Sequence, residues 1–212
     1  MTIEPSYDER FPTPAVRRWV RTCWIQSAGS SPYVQRNLPT GGMELRYQVG
    51  GGLTILGPLT SVLEEVLPPH AIVVGIRFRP GAPIAAGRPA VELADVVLSG
   101  SQLRRRVVDT VGLSPKVLQR TLRFQGYLAL AQAAAEPTFR IADAAALAGY
   151  ADQSHLTREC VRLSGRTPAE LLGPRTGVCG CGHDHSASYV PFLRGRAFRS
   201  IVSHRDLLAS PT

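Results

Sequence analysis

Hydrophobic positions follow a strand-like pattern over roughly the first eighty residues and a helix-like one afterwards. Trp19–Ser27 is an aromatic and β-branched run. Met43–Val49 and Leu53–Leu56 flank a Gly50–Gly52 turn, which predicts a hairpin. In Ala71–Arg79 the residues Ile72, Val74, Ile76 and Phe78 point one way and Val73, Gly75, Arg77 and Arg79 the other, which predicts a strand with one buried face. Pro58, Pro68 and Pro69 punctuate these segments, and a small, mostly antiparallel β-domain is the natural outcome.

From about Gly81 the period changes. Val91–Val97 is short and apolar. Ser99 is placed to cap a helix over Gly100–Thr110, with Leu103, Val107 and Val108 inward and Arg104, Arg105 and Arg106 largely outward. Gly112 ends that helix. Ser114–Pro115 opens a long one, because proline suits the first helical turn. Its stripe is Val117, Thr121, Phe124, Leu128 and Ala131, and Glu136–Pro137 breaks it near Ala135. A short alanine-rich helix follows, with Ile141, Ala145 and Ala148 on one face, and stops at Gly149–Tyr150. Asp152 or Ser154 can cap the next helix, whose apolar positions Leu156, Cys160 and Leu163 fall at i, i+4 and i+7. Thr167–Pro168 opens a last short helix over Ala169–Leu172, and the chain beyond Gly173 is weakly patterned.

Helix, glycine turn and second helix with a polar first turn make up the pattern of a helix-turn-helix. Gln153, His155 and Arg158 lie near the outward-facing start of the second helix. Gln and Arg can make bidentate contacts to adenine and guanine edges. The same pattern also describes an ordinary helical hairpin, so charge has to be weighed with it. Residues 1–100 carry nine arginines against eight carboxylates, whereas residues 101–212 carry fifteen basic residues against eight. The positive excess belongs to the half that carries the helical pattern, as a phosphate-binding surface requires. Lys116 is the only lysine, and richness in Ala, Arg, Gly and Pro points to a GC-rich genome that inflates arginine. Such a bias acts on both halves and leaves their difference standing.

A chain of 212 residues makes one or two domains. No apolar run approaches the ~18 residues of a membrane span. The start MTIEPSYDER does not read as a secretory signal, so a cytoplasmic location is expected, with no membrane partner. Four scattered cysteines suit a reducing compartment. No nucleophile–base–orienter set, phosphate-binding glycine loop or paired carboxylates stand out, and His70 and His204 lack partners in sequence, so an enzyme is not expected.

Four segments carry a family likeness: Gln102–Arg106, Val111–Pro115, Gly149–Glu159 and Leu163–Pro168. Through them the stretch from Ser101 to Leu172 resembles the C-terminal DNA-binding domain of AraC/XylS-family transcriptional regulators. Leu38–Leu45 and Val74–Gly81 are similar to the β sensor-like domain of one subgroup of these regulators. The resemblance implies two helix-turn-helix units joined by a long helix, each placing a recognition helix in a major-groove segment on one face of the duplex. Carried over by position, the second unit reads bases with Gln153, Ser154, His155 and Arg158, and the first with Ser101, Gln102, Arg104 and Arg105. Thr157 and Arg166 become phosphate contacts. The first unit departs from the pattern: Val97 stands where the turn carries a glycine, Leu93 is one residue out of phase, and the β-domain runs almost directly into Val91. Either that reading head is distorted, or the β-domain supplies its supporting helix.

Two further constellations stand outside this likeness. Cys179, Cys181, His183 and His185 are ligand types for zinc or another soft metal, in a spacing that is not that of a zinc finger; an incidental tail loop is the alternative. Trp19, Trp24, Tyr33 and Tyr47 are candidates to line a small-molecule effector pocket in the β-domain, or are simply core. Glu44 is either a polar anchor of that pocket or an exposed hairpin residue.

The expected fold is therefore α+β: a small N-terminal antiparallel β-domain over 1–90, followed by an all-α helix-turn-helix DNA-binding domain over 91–173 and a loop-rich C-terminal tail over 174–212. The expected function is sequence-specific regulation of transcription, with recognition helices near 100–110 and 152–163. Double-stranded DNA is the expected partner, a small-molecule effector and RNA polymerase are candidates, and the oligomeric state is open. No cofactor is expected unless the Cys/His cluster holds a metal. The rival readings are a ligand- or protein-binding module without autonomous DNA binding, and a metal-responsive sensor using residues 179–185.

Overall fold

The computed structural model describes residues 4–82, 100–133, 140–171 and 187–189. The architecture is α+β, with an antiparallel β region followed by helices. Seven strands come first: β1 Ser6–Arg10, β2 Val20–Ser27, β3 Tyr33–Asn37, β4 Glu44–Gln48, β5 Leu53–Leu56, β6 Leu63–Leu67 and β7 Ile72–Phe78. Among the described residues, five helices of four residues or more follow: α1 Gly100–Val111, α2 Pro115–Ala133, α3 Ile141–Leu147, α4 Gln153–Ser164 and α5 Pro168–Leu171. The chain divides into two compact units, Met1–Leu122 and Arg123–Thr212. The expected domain boundaries near 90 and 173, Ser99 and the apolar segment Val91–Val97 lie outside the described residues.

In the first unit, all strand pairs are antiparallel. One sheet has the order β1-β2-β7-β4-β5, and β3 pairs with β6 in a second. The predicted hairpin is β4–β5, and β7 lies at the centre of the larger sheet. Register partners point to the same face, so the sheet can be read in rows. One inner row runs Glu9, Trp24, Gly75, Arg46, Thr54, and the next holds Thr22, Arg77, Glu44 and Leu56. The buried face of β7 is thus the one with Val73, Gly75 and Arg77, while Ile72, Val74 and Ile76 lie on the outer face.

This interior is apolar at one end and charged at the other. Trp24, Ala28, Leu67, Ala71 and Val73 form the apolar cluster, with Tyr7 and Tyr33 against it. A Cβ on residue 75 would fall inside the Trp24 indole, so glycine there lets the ring pack directly on the β7 backbone. Beside it, Arg77 donates from Nε to Glu44 Oε2 (2.6 Å) and from Nη1 to Tyr7 OH (2.8 Å) and Glu9 Oε1 (2.5 Å). Arg46 Nη1 donates to Glu65 Oε2, which also accepts from Asn37 Nδ2, so the cluster ties the two sheets together. Both guanidiniums lie over the Trp24 ring, at 5.8 Å for Arg46 and 5.5 Å for Arg77. Burial pushes the Tyr7 hydroxyl well above its ordinary value, against the pull of Arg77. Burial alone would lower Arg77, but Tyr7, Glu44 and Glu9 hold its charge firmly in place. The expectation of an exposed Glu44 is corrected: it is buried because two guanidiniums neutralise it.

The α1–α2 corner abuts the strand-end loops of the same unit. Gly112, at φ 78°, lies against Pro58, and Thr110 and Val111 approach Gly81. A Cβ on Gly41 would stand 3.2 Å from Leu118 Cδ1, so the start of α2 rests closely on the loop before β4. The outlines of α1 and of the start of α2 match the expectation, with one correction. Val108, expected inward, is exposed, whereas Val107 and Val111 on the neighbouring strip of α1 are half-buried.

Candidate nucleic-acid interface

Within the second unit, α2 is buried all round from Phe124 to Ala131, as a helix enclosed by its neighbours must be. Tyr127 is fully buried and donates its hydroxyl to Pro168 O (2.9 Å), tying α2 to the start of α5. Ala144 and Ala145 of α3 are buried without remainder; small side chains there permit close helix packing. Gly149 takes φ 79°, a left-handed conformation in which a Cβ would be strained, and the chain turns there into Tyr150.

Tyr150 is buried under the Arg123 guanidinium, 5.5 Å from the ring centre. Asp152 is the N-cap of α4 and accepts from His155 N (2.6 Å), which satisfies one of the free amides of the first turn. Leu156, Cys160 and Leu163 then bury one face of α4 completely. Burial pushes the Cys160 thiol up to about 12, with Glu159 adding to the shift, so it behaves as a core group. Gly165 closes the helix at φ 70°. Thr167 and Glu170 form a capping box at α5: Thr167 N donates to Glu170 Oε2 (2.6 Å) and Glu170 N to Thr167 Oγ1 (3.3 Å). The Thr167 amide and hydroxyl lower the Glu170 carboxyl, so this exposed cap is intact above the ordinary glutamate range and is lost as pH falls through the lowered value.

The opposite face of α4 is open. Gln153, Ser154 and Arg158 are all exposed, as the sequence suggests. Val161 (46% exposed) and Arg162 extend the same face. Sequence reasoning missed these two, although Ser154, Arg158, Val161 and Arg162 follow at i, i+4, i+7 and i+8, the spacing that would have found them. Neither Arg158 nor Arg162 is held in an ion pair with a described residue. His155 is set differently. Its imidazole is half-buried and folded back on the turn, edge-on to Tyr150 at 5.2 Å, with Nδ1 accepting from Ala151 N (3.5 Å). Thr157 Oγ1 donates to Gln153 O (2.9 Å), and Arg166 is half-exposed beyond the helix end.

On α1, Ser101, Gln102, Arg104 and Arg105 are all exposed, and Arg106 is half-buried. The irregular positions Leu93 and Val97 lie outside the described residues, as does the cluster Cys179, Cys181, His183 and His185. Among the described residues, no group of three His, Cys, Asp or Glu side chains is placed to hold a metal. The four aromatics proposed for an effector pocket do not converge: Trp24 is interior, while Tyr47 is exposed on the outer face.

A helix-turn-helix domain family matches residues 93–173. Residues 93–173 are an AraC-family helix-turn-helix domain. This AraC-type domain is preceded by a match to a domain family of unknown function (DUF6597) over residues 8–99. No curated protein and no solved structure matches the chain. The helix-turn-helix match supports a DNA-binding regulator of AraC type. No helix among the described residues is long and apolar enough to cross a membrane.

Proposed function

We propose that the protein regulates transcription by binding double-stranded DNA sequence-specifically, with α4 in the major groove. The observation that carries this reading is the sidedness of α4. Its buried face fixes the helix rigidly, while Gln153, Ser154 and Arg158 stand free on the other. Arg and Gln supply bidentate readout, and the exposed Val161 offers an apolar contact of the kind that reads a thymine methyl group. In this reading Arg166 contacts phosphate. Thr157 can still accept or re-aim its hydroxyl, whereas His155 steadies the turn. The first unit adds Ser101, Gln102, Arg104 and Arg105 on the exposed side of α1.

The test is selection of duplexes from a random-sequence library, followed by gel-shift titration at two salt concentrations. Arg158→Ala is expected to weaken the selected site by ~1–3 kcal/mol and to relax preference at one base position. Full affinity with unchanged preference in the variant would place α4 elsewhere than in the groove.

A second proposal concerns the β-domain, which we read as the receiver of a small polar effector. Gln26 is 1% exposed on the inner face, and neither its amide nitrogen nor its amide oxygen has a hydrogen-bond partner. The buried Trp24 Nε1 is likewise unbonded. Such groups cost stability unless something pairs with them. Gln26→Leu is therefore expected to raise the urea stability of the free protein by about 1 kcal/mol and to remove its thermal response to small polar compounds. A variant less stable than the wild type would mean that Gln26 is satisfied within the fold.

A further inference from the structure

The outer face of the five-stranded sheet is apolar where a solvent-facing sheet is ordinarily polar. One row across all five strands reads Asp8, Ile25, Val74, Tyr47, Leu53, and the adjacent row Arg10, Cys23, Ile76, Leu45, Ile55. Five of these side chains and their neighbours are open: Ile25 45%, Tyr47 46%, Leu53 65%, Ile55 55% and Ile72 40% exposed. The only charges in the two rows, Asp8 and Arg10, sit on the edge strand and bond each other at 2.8 Å. The face is thus a continuous neutral surface closed at one side by a self-compensated polar rim.

We infer that two copies of this chain associate through this face. The five side chains alone leave on the order of 500 Å² of apolar surface, at the upper end of what a monomer ordinarily exposes. Two such faces with their rims approach the ~1,600 Å² of a stable protein interface. A face without net charge offers nothing to attract nucleic acid or a charged partner, and an apolar face meets matching chemistry in its own copy. An isologous contact needs only that self-complementarity. The central strand β7 carries Val74 and Ile76 in the middle of the rows, so a two-fold axis through it lays one sheet on the other in the aligned packing of β-sandwiches. The contact uses the first unit only and is independent of how α4 meets DNA.

The test is sedimentation of the full chain from 1 to 100 μM, with hydroxyl-radical footprinting of the wild type across the same range. The expected result is a dimer whose Tyr47 oxidation falls severalfold as it forms. Tyr47→Lys with Ile55→Lys should give a monomer with a native far-UV spectrum. Val34→Lys with Val66→Lys, on the exposed face of the β3–β6 sheet, should leave the dimer intact. A wild-type monomer at 100 μM overturns the inference and leaves another protein as the occupant of the face. A dimer in which Tyr47 stays fully oxidisable overturns it equally, and neither readout depends on a variant folding.

Discussion

Arg77→Ala should cost the protein ~3–5 kcal/mol, the range for breaking a buried ion pair from one side. The guanidinium faces Glu9, whose side chain is 2% exposed, and Glu44, at 9%. Without it two carboxylates remain in the interior, and Tyr7 loses the donor to its hydroxyl. Arg46 offsets part of the charge through Glu44, at 3.4 Å, but is already engaged by Glu65. With a urea slope of ~1–3 kcal/mol per molar, the midpoint should fall by roughly 2 M. A loss below 1 kcal/mol would show that water reaches the cluster and the ion pairs are not buried.

Leu156→Ala acts on the other unit. Leu156 has no exposed surface and sits at the centre of the buried face of α4. Truncation there removes packing and leaves a cavity, at ~2–5 kcal/mol for such a site. Amide protection across α3, α4 and α5 should fall by about thirtyfold or more, the equivalent of 2 kcal/mol in local opening. Affinity for the selected duplex should fall with it, although no DNA-facing residue has changed. Both tryptophans, Trp19 and Trp24, lie in the first unit, so their fluorescence separately reports whether the β-domain is disturbed. Protection unchanged to within threefold would show that α4 is held by something other than this face.

What was legible in the sequence follows from which side of each element is apolar. The helices obeyed the ordinary rule: Leu156, Cys160 and Leu163 were found by their spacing because they do face a core. Capping by Asp152 and the turn at Gly149 were equally legible, since both depend on local backbone chemistry. The strands β1, β3 and β6 were missed for the opposite reason. Their interior residues include Glu9, Gln35, Asn37 and Glu65, so a polar residue there marks the inside. The same inversion misplaced Glu44. The alternation in Ile72–Phe78 was visible, but which face is buried depends on ion partners up to 70 residues away, which no local pattern reports. At the interface, exposure of Gln153, Ser154 and Arg158 could be read from periodicity, whereas the turning back of His155 onto Tyr150 is a rotamer choice set by packing.

The position of β7 also sets an order of events at the ribosome. It is the last made of the described strands and the central one in the sheet, pairing with β2 on one side and β4 on the other. At ~5–20 residues per second, the first seventy-eight residues take on the order of ten seconds to synthesise. Until then β2 and β4 each present an unpaired edge, and Glu9 waits for an arginine 68 positions further along. The domain can close only when β7 is inserted between strands already in place. A nascent chain stalled before Ile72 should therefore be the species most in need of a chaperone.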